Sequence, residues 1–290
     1  THENCAKESE RDENGGYEKR WNMEGKVHYS QNLFLDKMLD FIRVHKNERF
    51  FLYHPTQLPH GPTSVPEIHP DFKNNQNLTE IEKAYASMVK MLDDHVGILI
   101  QELKDLGLYE NTLVIFTADN GHELYYPSAG KMAKPARNMQ TGEKFDNVST
   151  KFYSHLAGDV FNGNDGMAGL KRDNWEGGVR VPLIYHWPGN IEGGKVIDHM
   201  VSNYDLLSTF ADMLQVDVPV QKDGISYFPM LYEKESAKHE YVVFNSTLGP
   251  ALVSAEGWKL RYQKSADIYQ LYFLPDDYTE ANNLSDKYPE

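Results

Sequence analysis

The chain has 290 residues, enough for one large domain or for a large domain with a small companion. Hydrophobic residues make up 40% and charged residues 25%, so a sizeable core is within reach, and 29 Lys and Arg stand against 43 Asp and Glu for a formal net charge of -14. That balance, with no basic cluster, excludes a general binder of nucleic acid or of anionic membrane.

Cys5 is the single cysteine, so no disulfide framework forms within the chain. No run approaches the roughly 18 apolar residues of a membrane span. The opening Thr1-His2-Glu3-Asn4 lacks the basic end and apolar stretch of a signal peptide, and there is no initiator Met. The expectation is a product of cleavage or truncation.

Residues 1–25 are polar, carry no period and are expected to be loop. From Ser30 to His45, Leu33, Phe34, Met38, Leu39, Phe41 and Ile42 recur at helical spacing. Phe50-Phe51-Leu52-Tyr53 predicts a short buried strand, which ends in a loop holding Pro55, Pro59, Pro62 and Pro66. Thr79-Glu80-Ile81-Glu82 is a capping box, because the Thr hydroxyl can accept from the N3 amide while Glu82 reaches back to the cap. Tyr85, Met88, Leu92, Val96, Leu99 and Leu103 then line one helix face, and Gly107 stops the helix.

Thr112 to Thr117 is a continuous apolar run, as expected of a parallel strand buried on both faces. Residues 122–170 have no sustained period, which in a compact domain marks a functional loop or an insertion. Val179 to Trp187 predicts another strand, with Pro182 marking an edge or a bulge, and Asp205 to Leu214 a short helix. Tyr241–Phe244, Ala251–Ser254, Trp258–Tyr262 and Tyr269–Phe273 predict a small antiparallel sheet. Helix, short turn and strand in succession make the chain α/β, with an expected division into 1–234 and 235–290.

Three constellations carry chemistry. Phe116 and Thr117 run directly into Ala118-Asp119-Asn120-Gly121-His122. Ligands of open α/β sheets bind beyond the carboxyl ends of strands, and Asp119 and Asn120 there can offer hard oxygen donors to calcium or magnesium. The same residues are also ordinary turn formers. His60, in the proline-pinned Pro59-His60-Gly61-Pro62, suits an acid, a ligand or a plain surface residue. In Gly169-Leu170-Lys171-Arg172-Asp173, followed by Glu176-Gly177-Gly178, Lys171 can hold an oxyanion and the paired glycines permit close backbone approach. The plainer alternative is a tight loop entering a strand, with Lys171 and Arg172 on a solvated face.

In their order and type these segments resemble the type I, formylglycine-dependent sulfatases of the alkaline-phosphatase superfamily. The resemblance rests on residues 50–62 (FFLYHPTQLPHGP), 84–121 (AYASMVKMLDDHVGILIQELKDLGLYENTLVIFTADNG), 169–189 (GLKRDNWEGGVRVPLIYHWPG) and 271–290 (LYFLPDDYTEANNLSDKYPE), and spans roughly residues 26–290. It implies an alkaline-phosphatase-like mixed sheet flanked by helices, with its N-terminal part missing, plus a small antiparallel C-terminal subdomain. Asp119 and Asn120 would be two ligands of a calcium ion, His60 would serve the leaving oxygen, and Lys171 would contact the sulfate. The family's C/S-x-P-x-R nucleophile motif is absent, since Cys5 is followed by Ala6-Lys7-Glu8-Ser9, so this chain alone is expected to be inactive. The implied partners are a sulfated carbohydrate and the missing N-terminal portion of the same protein, and the implied location is periplasmic or extracellular. The long loop 122–168 resembles pocket walls of bacterial polysaccharide-desulfating members, which makes His122, Arg172 and Asp173 either sugar contacts or loop braces. A phosphodiesterase or phosphonate hydrolase of the same superfamily, and a non-catalytic glycan-binding relic, stand as alternatives.

Overall fold

A computed structural model describes residues 28–61, 63–124, 151–218, 222–246 and 248–289, and the backbone alone of 6–11 and 17–22. Cys5 and residues 125–150 of the long loop lie outside the described residues. The chain forms two compact units, Thr1–Thr112 with Leu124–Ala136, and Leu113–Glu123 with Arg137–Glu290.

In the first unit β1 (Ala6–Arg11) and β2 (Tyr17–Asn22) pair antiparallel, where the sequence predicts loop. Neither strand carries an apolar alternation, so a period-based reading passes over this hairpin. Helix α1 (Ser30–His45) takes the predicted bounds and buries Leu35, Met38, Leu39 and Ile42, the four-residue stripe of an amphipathic helix. Leu33, counted on that face in the sequence, is 40% exposed. The turn α2 (Pro70–Lys73) precedes α3 (Glu80–Asp105).

Helix α3 begins at the expected capping box: Thr79 Oγ1 accepts from the Glu82 amide at 3.4 Å, and Glu82 Oε2 accepts from the Thr79 amide at 2.7 Å. It ends in a Schellman motif, with Gly107 at φ +69° and the Leu108 amide donating to the Leu103 carbonyl at 2.8 Å. Arg43 of α1 grips Glu102 of α3 with two parallel hydrogen bonds of 2.8 Å. The strand predicted at 50–53 does not form. Phe51 and Tyr53 are 74% and 76% exposed, and no ladder among the described residues takes this segment in. An apolar run becomes a strand only when a neighbour completes its hydrogen bonds.

In the second unit β3 (Val114–Thr117) is half-buried and pairs antiparallel with β4 (Leu183–His186), which corrects the expectation of a parallel strand buried on both faces. The strand predicted from Val179 starts only at Leu183. Before it, α4 (Glu176–Val179) is a single helical turn, and Pro182, which has no amide to give a ladder, immediately precedes the strand. Helix α5 (Leu206–Leu214) follows a 3-10 turn at Asn203–Asp205. The four C-terminal segments form the expected antiparallel meander, β5 (Tyr241–Ser246), β6 (Gly249–Ser254), β7 (Trp258–Gln263) and β8 (Ile268–Phe273), in that spatial order.

Candidate functional site

The register of β3 on β4 builds the site. Thr117, the last residue of β3, is paired with Leu183, the first of β4. The segment leaving β3 and the segment entering β4 therefore emerge from the same end of the ladder. These are the Asp119-Asn120-Gly121-His122 and Lys171 loops, about fifty residues apart in the chain.

Two backbone hydrogen bonds join the loops: Gly121 N–H to the Gly178 carbonyl at 3.0 Å, and Lys171 N–H to the His122 carbonyl at 2.6 Å. The contact is too close for a side chain, because a Cβ on residue 121 would lie 2.0 Å from the Gly177 carbonyl oxygen. Gly178 is equally constrained, with the Leu170 carbonyl oxygen at 2.5 Å and Asp173 Oδ1 at 2.6 Å from a built Cβ. The glycines at 121 and 178 are thus what lets the first and third constellations meet.

Asp119 is exposed at the mouth of this junction, and Asn120 and Lys171 are half-buried. The Asn120 side-chain amide donates to the Gly121 carbonyl at 2.9 Å, which fixes the group and leaves Oδ1 as its acceptor end. A carboxylate and an amide oxygen are hard donors and suit calcium in kind. In number they fall short of the roughly six to eight oxygens that calcium takes. Among the described residues no group of three or more His, Cys, Asp and Glu converges.

The three residues considered as sugar contacts are differently placed. His122 packs its ring over Gly163, whose built Cβ would meet it at 2.6 Å, and its Nε2 lies 3.5 Å from Asp159, a carboxylate that also accepts from the Phe161 and Gly163 amides. Arg172 has a left-handed backbone (φ +82°) and a 40% exposed side chain whose guanidinium is ion-paired with the buried Glu123. Asp173 is 3% exposed and spends its carboxylate on the amides of Leu170 and Trp175, at 2.7 and 3.0 Å. Burial pushes its carboxyl up to about 7 despite those two hydrogen bonds. Asp173 therefore braces the Lys171 loop from inside.

His60 belongs to the first unit. It is exposed and follows a cis Leu58–Pro59 bond; its amide donates to Gln57 at 2.7 Å, and its Nδ1 lies 2.6 Å from the Gly61 carbonyl. A carbonyl only accepts, so Nδ1 donates in that contact.

Beneath the Lys171 loop lies a polar core that the sequence reading missed. Lys259 is 0% exposed and its Nζ lies 2.9 Å from both Glu176 and Glu280. Glu280 Oε2 accepts from the Glu176 amide at 2.7 Å, and burial raises the Glu280 carboxyl, with Lys259 opposing and Glu176 adding to the rise. Arg261, 1% exposed, stacks at 3.6 Å on Trp175 and donates from Nε to Asn174 Oδ1 at 2.8 Å. An alternating Lys-x-Arg in a strand ordinarily marks the solvent face, so pattern alone gives no signal for these two. Glu123 and Asp159, the partners of Arg172 and His122, likewise carry no signature of their own.

The family model for Sulfatase matches residues 4–216, and that for the C-terminal part of N-sulphoglucosamine sulphohydrolase matches residues 169–289. The chain is 28% identical over 281 residues to an N-acetylgalactosamine-6-O-sulfatase of Bacteroides thetaiotaomicron, covering 89% of this chain and 48% of that protein. It is 29% identical over 203 residues to the steryl-sulfatase of Homo sapiens, covering 69% of this chain and 29% of that protein. In structure it is similar to Ps i-CgsB, solved in complex with k-i-k-neocarrahexaose, with a TM-score of 0.64 and 25% identity over 90% of this chain and 52% of that one. A second structure, from work on glycosaminoglycan metabolism by Bacteroides thetaiotaomicron, has the same fold, with a TM-score of 0.63 and 24% identity over 91% of this chain and 52% of that one. The chain thus spans about half the length of these structures, and no more than that of the two curated relatives. With the glycine-seated junction of the Asp119 and Lys171 loops on a β3–β4 ladder, and a family match over more than half of its residues, the chain belongs to the sulfatase family.

Proposed function

We propose that this chain forms part of an enzyme that hydrolyses sulfate esters of carbohydrates, with catalytic roles for Lys171 and His60 and metal-ligand roles for Asp119 and Asn120. The observation that carries the reading is the junction itself. Gly121 on Gly178, and Lys171 on His122, fix a cationic loop against a strand end bearing hard oxygen donors.

Sulfate-ester cleavage builds negative charge on the bridging oxygen and redistributes it over the sulfuryl oxygens. A fixed cation where that charge develops lowers the barrier most, because it needs no reorganisation during the reaction. Lys171 would supply that cation. His60 would protonate or hydrogen-bond the departing oxygen, a contribution typically of ~10²–10⁴-fold. Asp119 Oδ and Asn120 Oδ1 would hold calcium together with ligands from outside these residues. Bound there, calcium would supply positive charge that orients the sulfate. A formylglycine side chain, in a segment outside these residues, would supply the nucleophile, so the present chain alone would be inactive.

The acidic chain fits this division of labour, since a net charge of -14 leaves the attraction of an anionic ester to local cations such as Lys171 and Arg172. Sulfated glycans occur outside cells, which supports a location in the periplasm or beyond it. None of the helices among the described residues is long and apolar enough to cross a membrane.

The test incubates the full-length protein with a 6-sulfated chondroitin disaccharide, 4-nitrophenyl sulfate and 4-nitrophenyl phosphate, and measures released sulfate and phosphate. Sulfate release supports the reading. Preferential phosphate release would instead indicate the phosphoryl-transfer branch of the superfamily, and binding of the disaccharide without turnover would indicate a glycan-binding relic.

A further inference from the structure

We propose that Lys259 and Arg261, on β7, are positioning residues for the Lys171 loop, acting through Glu176, Glu280 and Asn174 rather than by touching substrate. What they position rests on the sulfatase reading above.

Both cations point inward from the C-terminal sheet and are essentially fully buried. A buried cation is costly to desolvate, and the geometry shows where that cost is offset. Lys259 sits 2.9 Å from each of two carboxylates, and one of them, Glu280, in turn holds the backbone amide of the other, Glu176, at 2.7 Å. Arg261 stacks on the Trp175 ring and binds Asn174 Oδ1, while Asn174 Nδ2 donates to the Gly249 carbonyl at 2.9 Å. Residues 174, 175 and 176 are thus held by β7, by the start of β6 and by the turn at Glu280.

Those three residues lie between Lys171 and the Gly177-Gly178 pair that receives Gly121. Fixing them fixes both the ammonium-bearing loop and the seat of the Asp119-Asn120 loop. A hydrophobic brace of similar shape would fill the space, but it would not set the Glu176 amide or the Asn174 side chain in one orientation.

The test uses the full-length protein carrying Lys259→Met, the double variant Lys259→Met/Glu280→Gln, and the control Val242→Ala on β5. In the double variant the carboxamide that replaces the Glu280 carboxylate keeps an oxygen to accept from the Glu176 amide, and its NH₂ can replace Lys259 as donor to the Glu176 carboxylate. Two readouts are taken: amide hydrogen exchange by peptide, and kcat and KM for the 6-sulfated chondroitin disaccharide.

In Lys259→Met, exchange should accelerate in peptides covering 169–180 and 118–122 while β5 to β8 stay protected. kcat should fall by roughly 10- to 100-fold, with KM changing by less than about threefold, as is usual for removal of a supporting outer contact. The double variant should regain at least about a third of the lost rate on a logarithmic scale and restore loop protection, and Val242→Ala should leave kcat unchanged. If Lys259→Met does not fold, the double variant is expected to fold with residues 169–180 protected, and a double variant that also fails to fold would overturn the proposal.

Unchanged exchange in 169–180, or a uniform rise across the whole sheet, would overturn the proposal. So would a change confined to KM, or a double variant no better than Lys259→Met. Selective loosening of the loop in a protein whose wild type cleaves no sulfate ester would uphold the positioning and reject the sulfatase reading.

Discussion

The Gly121 amide donates to the Gly178 carbonyl at 3.0 Å, and a methyl group on residue 121 would stand 2.0 Å from the neighbouring Gly177 oxygen. The obstacle is backbone on both sides, so it cannot swing aside as a flexible side chain would. Gly121→Ala should cost roughly 1–3 kcal/mol or more in stability, the range of overpacked interiors, and should part the Asp119 loop from the Lys171 loop. Thermal unfolding of the variant checks the first, and loss of turnover out of proportion to the loss of stability checks the second. A variant as stable and active as wild type would show that the two loops need not touch.

Asp119 and Lys171 lie on opposite sides of that junction and should fail in different ways. Lys171→Ala in the full-length protein should lower kcat/KM by ~10²-fold or more, the loss typical of removing one fixed charge-stabilising donor. Asp119→Ala should instead abolish the rise in melting temperature that saturating calcium gives the wild type, since a cation stabilises only the state that binds it. A wild type whose melting temperature ignores calcium would remove the metal from the account. A change of less than about threefold for Lys171→Ala would remove that residue from the chemistry.

Asp173 carries a pH signature. Burial raises its carboxyl from an ordinary 3.8 to about 7, so the folded protein holds this proton more tightly than the unfolded chain. Its contribution to stability is complete below the unfolded value and is lost as pH rises through about 7. Asp173→Asn is neutral at every pH. The melting temperature of wild type relative to Asp173→Asn should therefore fall from about 3.8 to about 7 on the pH scale and level off above that. A difference that stays constant or grows with pH would show that the carboxylate form is comfortable in this loop.

In the first unit, Thr79→Ala removes the side-chain half of the α3 capping box, in which the hydroxyl receives the Glu82 amide. The expected loss is about 1 kcal/mol, read as a fall in the denaturant midpoint at constant slope.

Local rules made part of this molecule legible in the sequence. The Thr79–Glu82 box, Gly107 and the bounds of α1 each follow from neighbours a few residues away and stand in the structure, while the α1 stripe stands at Met38, Leu39 and Ile42 but buries Leu35 in place of Leu33. The four C-terminal strands were likewise marked by short apolar runs between turns. Elements that depend on distant partners were not legible. Phe50–Tyr53 has strand composition but no ladder among the described residues, and the direction of β3 was decided by β4, about seventy residues on.

The site follows the same division. Asp119, Asn120 and Lys171 could be singled out because strand-end and glycine-flanked loops leave a sequence trace. Lys259 and Arg261 could not, because their alternation is that of an exposed strand face and only the carboxylates of Glu176 and Glu280, with Asn174 and Trp175, turn it inward. Asp173 was open between sugar contact and brace, and its two hydrogen bonds to Leu170 and Trp175 place it inside the loop.

The most direct measurement is the release of inorganic sulfate from a 6-sulfated chondroitin disaccharide, comparing the full-length protein with its Lys171→Ala variant. The account expects sulfate from the wild type and a rate lower by ~10²-fold or more from the variant. Equal rates, or release of phosphate but not sulfate from the matched aryl esters, would contradict it.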